Sequence, residues 1–99
     1  MKEREKRMKA SQRIIILDGD SNFPAIILTI SKTGMSIKTK HTFPTYKVVG
    51  VVVKIAKKFI QIQGSIRWVN EYSDGKGGKY YEIGLSLQNP PPEYTDHFK

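Results

Sequence analysis

Long stretches of the chain alternate apolar and polar residues with a period of two. That period belongs to an extended backbone, not to a helix. Over Phe59–Val69, the residues Ile60, Ile62, Ile66 and Trp68 share one face, while Gln61, Gln63, Ser65 and Arg67 share the other. In the next such stretch Tyr81, Ile83, Leu85 and Leu87 alternate with Tyr80, Glu82, Gly84 and Ser86. Successive side chains of a strand point to opposite faces, so each stretch buries one side when extended. Shorter apolar runs come before them: Ile14–Leu17, Ala25–Ile30, Met35–Thr39 and the valine-rich Lys47–Ile55. Turn-forming residues separate the runs at Asp18–Asn22, Ser31–Gly34, Pro44 and Ser73–Gly78. Gly64 interrupts the alternation and predicts a bulge or bend. Trp68 falls on the apolar face and predicts a core position. Three prolines, Pro90 to Pro92, end the last strand and leave Glu93–Lys99 room for only a short helix. About six sequential strands with short connections predict an all-β fold, a small six-stranded antiparallel β-barrel. Closing the sheet removes its exposed edges.

Charge divides the chain in two. Residues 1–13 carry Lys2, Arg4, Lys6, Arg7, Lys9 and Arg13 against Glu3 and Glu5, and few apolar side chains. The i,i+4 pairs Glu3/Arg7 and Glu5/Lys9 favour a transient helix, but so short a segment without an apolar face is marginal alone. Residues 1–12 are therefore expected to form a flexible basic arm or linker, and residues 13–99 one barrel domain. The formal net charge of +8 over 99 residues points to an anionic partner. With no cysteine, disulfides, thiolate metal sites and cysteine nucleophiles are excluded. No apolar run approaches the roughly 18–20 residues of a membrane helix, and no signal peptide follows the basic start, so membrane insertion is not expected and the cytoplasm is the expected compartment.

Several motifs that suggest chemistry do not hold. Asp18-Gly19-Asp20-Ser21-Asn22 imitates the start of a calcium loop, but its sixth and twelfth positions hold Phe23 and Thr29 in place of glycine and glutamate. Asp74–Lys79 is glycine-rich but lacks the phosphate-loop spacing and a following helix. His41 and His97 have no metal-ligand spacing, and no nucleophile–base set or carboxylate pair stands out. Neither an enzyme nor a metal site nor a cofactor is expected. Ser31-Lys32-Thr33-Gly34 is more informative, since a hydroxyl and a glycine at this spacing suit close approach of a phosphate.

At this point the chain resembles the PilZ domain family, bacterial receptors for cyclic di-GMP. Lys9-Ala10-Ser11-Gln12-Arg13 lies where the family has Arg-x-x-x-Arg before its first barrel strand. Thr29-Ile30-Ser31-Lys32-Thr33-Gly34 lies where it has Asp/Asn-x-Ser-x-x-Gly. Met35-Ser36-Ile37, Gly64-Ser65-Ile66-Arg67-Trp68 and Tyr80–Leu87 are similar to its later strands, in the family's order and spacing. The resemblance implies a six-stranded barrel and cyclic di-GMP as ligand. It also implies ligand contacts at Lys9, Arg13, Thr29, Ser31 and Gly34, with Arg13 matching the motif's second arginine. The basic arm would close over the ligand and signal to a partner protein or adjacent domain.

Two positions depart from the family pattern. Lys9 keeps the charge of the first arginine but loses its planar fork of donors. Thr29 keeps a hydroxyl but loses the carboxylate or amide that pairs with guanine. A lost charge-assisted bond is worth about 1.5–3 kcal/mol, roughly ten- to a hundredfold in affinity. Arg4 and Arg7 are auxiliary candidates for the missing guanidinium. Three functions therefore stand side by side: a cyclic di-GMP-binding signalling module with weakened affinity; a degenerate PilZ domain that acts as a protein-interaction module; and, disfavoured, a barrel that binds single-stranded nucleic acid through its charge and its aromatic residues Phe59, Trp68, Tyr80 and Tyr81.

Overall fold

The computed structural model describes residues 8–98. Among the described residues seven strands run β1 (Met8–Lys9), β2 (Arg13–Asp18), β3 (Ser21–Ile30), β4 (Gly34–Thr39), β5 (Val48–Ile55), β6 (Lys58–Ser73) and β7 (Lys79–Gln88). They pair in the order β1-β3-β2-β5-β6-β7-β4, and a further β3–β4 pairing closes the sheet. All pairings are antiparallel. The result is the expected closed six-stranded barrel, β2 to β7, with two-residue β1 continuing the β2 side of β3.

Inward positions follow the alternation. Ile14, Ile16, Ile27, Ile37, Val51, Val53, Ile62, Ile66 and Ile83 fill the interior. A short C-terminal helix, α1 (Pro92–Thr95), starts on a proline, which suits a first turn whose amides have no helical acceptor. It drives Tyr94 into the core, fully buried, and the Tyr94 hydroxyl donates to the Ser31 carbonyl at 2.5 Å.

Three local features differ from the expectation. The β2–β3 hairpin is tighter, with only Gly19 and Asp20 between the strands and Gly19 at φ +61°, as a two-residue hairpin with glycine first requires. Phe23 and Pro24 thus belong to β3. Pro24 is tolerated because β4 no longer pairs there; its carbonyl accepts from the Thr39 hydroxyl instead. Gly64 is not the bulge. It pairs regularly between Val49 and Leu87, and the register of β6 against β7 shifts instead between Ile66 and Trp68. One residue, Arg67, is therefore extra in the ladder, and the inside–outside phase reverses after it. Trp68 consequently leaves the core face and is 43% exposed on the outside. The loop before β5 secures this bulge: Tyr46 N donates to Ile66 O and Ile66 N donates to Lys47 O.

Candidate functional site

The strand registers bring distant residues into rows across the outer surface. Lys9 lies opposite Thr29, Thr29 opposite Ser36, Ser36 opposite Gly84 and Gly84 opposite Trp68. The next outward row toward the barrel's Ser31–Gly34 end sets Gly34 opposite Ser86 and Ser86 opposite Ser65. Between Thr29 and Trp68 the side chains are small, at Gly34, Ser36, Gly84 and Ser86, and the surface sinks into an open cleft of about 320 Å³. Thr29, Ser36, Gly34, Gly84 and Ser86 line it, with Thr33, Met35 and Leu85, and Arg67 and Trp68 on the β6 side.

Trp68 lies against the Gly84 backbone. A Cβ at position 84 would come within 2.1 Å of the indole Nε1. Only glycine leaves room for the ring there. Arg67 sits at the bulge, with its guanidinium carbon 5.4 Å from the centre of the Tyr46 ring. Tyr46 is 69% exposed, so that ring is a surface perch for the cation.

The Ser31–Gly34 loop is held from three sides. Ser31 N donates to Gly34 O at 2.8 Å, Leu87 N donates to Thr33 O at 2.8 Å, and Tyr94 donates to Ser31 O. Ser31 itself is 1% exposed, and its hydroxyl donates to Gly34 O at 3.2 Å. It shapes the loop and does not line the cleft. The Thr29 and Ser36 hydroxyls share a hydrogen bond of 2.6 Å.

Of the residues expected from the motifs, Thr29 and Gly34 line the cleft. Lys9 is set across from Thr29 by the β1–β3 register. Arg13 is exposed opposite Ile26, in the neighbouring outward row, and is not part of the cleft lining. Arg4 and Arg7 lie outside the described residues. The segment set apart as an arm meets the sheet from Met8 onward: Ala10 N donates to Leu28 O, and Ile27 N donates to Gln12 O. The motif reading gave Arg67 no role and counted Trp68 only among the aromatics of the nucleic-acid alternative. The available signal was the Arg-Trp pair itself, but strict alternation assigned the two to opposite faces.

The resolved electrostatic perturbation lies elsewhere, at the tip of the β6–β7 hairpin. Backbone N–H groups of Lys76 and Gly78 hold the Asp74 carboxyl below its ordinary value. Among the described residues no cluster of three histidine or acidic side chains could hold a metal ion, and no helix is long and apolar enough to cross a membrane.

Comparison with known proteins adds the following. The family model described as PilZ domain matches residues 1–99. A search of curated proteins finds no match. Solved structures share the fold at low identity. The PilZ domain of YcgR from Escherichia coli with c-di-GMP superposes with a TM-score of 0.74 at 13% identity, covering 99% of this chain and 86% of that one. PlzA of Borreliella burgdorferi in complex with c-di-GMP gives 0.73 at 14%, covering 94% and 48%. The Bacillus subtilis inhibitor of motility MotI/DgrA gives 0.73 at 13%, covering 99% and 48%. The chain thus spans about half the length of the PlzA and MotI chains.

Proposed function

The chain belongs to the PilZ domain family, and from that premise we propose that it is a cyclic di-GMP-binding signalling module, not an enzyme. The ligand seats in the outer cleft over β3, β4, β6 and β7. The observation that supports this most is the cross-strand row of Lys9, Thr29, Ser36, Gly84 and Trp68, which joins two motif positions to an aromatic face. A guanine base needs a flat apolar surface, and the Trp68 indole offers one. The two phosphates need cations and backbone donors. Lys9, Arg13 and the turn ending at Gly34 are of that kind. The loop's existing hydrogen bonds mean that little ordering is left to be done on binding. Two structural relatives, YcgR and PlzA, were solved with c-di-GMP. The basic N-terminal segment, which meets the sheet along β3 from Met8 onward, would carry the ligand's presence to a partner protein or adjacent domain, in a cytoplasmic setting.

A second reading has its own observation. The Thr29 hydroxyl is already engaged with Ser36, and Lys9 lacks the planar fork of arginine. In that reading the site is degenerate and the barrel serves as a protein-interaction module. Titration with cyclic di-GMP followed by amide and indole NMR separates the two. Saturable shifts at Thr29, Gly34, Gly84 and the Trp68 indole N–H are expected for the receptor. A flat spectrum up to millimolar ligand, with binding appearing in the Lys9→Arg, Thr29→Asp variant, would establish the degenerate site instead.

A further inference from the structure

We infer that Arg67, the residue inserted by the β6 bulge, is the guanine-reading side chain of this cleft and supplies the fork of donors that the motif lost at position 9. The inference rests on the ligand reading above and assigns the specificity within that same site.

In a regular strand Arg67 and Trp68 would point to opposite faces. The register shift between Ile66 and Trp68 cancels that alternation, and both side chains line the one cleft. Bulges commonly re-aim a side chain in this way. The pairing has a definite chemistry. The indole presents a stacking face, and a guanidinium lining the same cleft presents paired N–H donors in the fixed geometry that matches O6 and N7 on a guanine edge. Adenine puts an amino donor where guanine has O6, so the same fork meets N–H groups and loses a bond. The floor beside these two residues is small and neutral: Ser36, Gly84 and Ser86. Among the described residues no carboxylate lines the cleft to take up the guanidinium. The guanidinium lies over the Tyr46 ring, and a cation–π contact of that kind does not consume N–H donors. Tyr46 is fixed in turn by its backbone bond to Ile66 O, at a φ of +70°.

The test is a pair of titrations, cyclic di-GMP and cyclic di-AMP, against the full chain and its Arg67→Met and Arg67→Lys variants. Arg67 is exposed, so the fold is expected to survive, and the amide spectrum checks it. The parent should prefer cyclic di-GMP. Arg67→Met should weaken cyclic di-GMP roughly ten- to a hundredfold while changing cyclic di-AMP much less, so that selectivity collapses. Arg67→Lys should also lose selectivity, since lysine keeps the charge but not the fork. Equal loss for both dinucleotides, with rescue by lysine, would show a phosphate contact and overturn the assignment. So would unchanged affinity in both variants while the parent binds, and that result would leave the receptor reading intact. A parent that binds neither dinucleotide overturns both.

Discussion

Gly84 and Trp68 decide the shape of the cleft at the scale of single residues. The ring occupies the space where a β-carbon of residue 84 would stand. Gly84→Ala should therefore push the indole off the sheet without emptying the core, because Trp68 is already partly in solvent. The expected result is a red-shifted tryptophan emission, a melting temperature within a few degrees of the parent and a loss of cyclic di-GMP affinity of about tenfold or more. Chain fluorescence is a clean reporter, since Trp68 is the only tryptophan. An unshifted emission would mean that the ring does not rest on this glycine. The same pair marks the limit of what could be read from sequence. The motif positions Thr29 and Gly34 were legible because their spacing is local. Ser31 was legible as a motif residue, but not its burial against Gly34 O, which depends on Tyr94 arriving from 63 positions away. Trp68 was misplaced because period-two reasoning has no memory of an inserted residue.

The hairpins show which local signals suffice at the scale of secondary-structure elements. β5 and β7 lie within a residue or two of the runs read from sequence, because β-branched, aromatic and leucine residues fill them and turn residues bound them. β6 was harder, because the phase changes inside it and its last residues run on past the barrel into the Asp74 turn. Its bulge arises from tertiary contact: the loop residues Tyr46 and Lys47 take over the backbone of Ile66 just past the Val48–Ser65 pair, where the β5 ladder stops. The β5–β6 turn is made by Ala56 and Lys57, both with positive φ, +50° and +68°. L-residues with a β-carbon are disfavoured there by about 1–2 kcal/mol each. Two-residue hairpins of this kind prefer Asn-Gly. Replacing the pair by Ala56→Asn and Lys57→Gly should stabilise the barrel by about 1–2 kcal/mol, raising its melting temperature by roughly 5–10 °C. Calorimetry or thermal denaturation followed by circular dichroism checks this, and ligand affinity should not change.

Charge is the dominant property at the scale of the whole molecule. A chain of net charge +8 attracts a dianionic dinucleotide over distances longer than any hydrogen bond. That attraction is screened beyond about 10 Å at 0.1 M salt. The association rate for cyclic di-GMP should therefore fall as salt rises from 0.02 to 0.5 M, while the dissociation rate stays nearly constant. Stopped-flow kinetics on the Trp68 signal reads both rates. A salt-independent association rate would mean that the surface charge plays no part in capture.

The order in which the barrel is sewn together has a consequence for anything lodged in the cleft. β3 and β4 come from the first half of the chain, β6 and β7 from the second, and the two halves meet on this side through the ladder that sets Gly34 opposite Ser86. The floor crosses that ladder, with Thr29 and Ser36 on one bank and Gly84 and Trp68 on the other. A molecule bound there acts as a rivet, fastening the strand pairing that joins the two halves of the sequence. Peeling the two halves apart would first require it to leave, so occupancy and the lifetime of the closed barrel become one property.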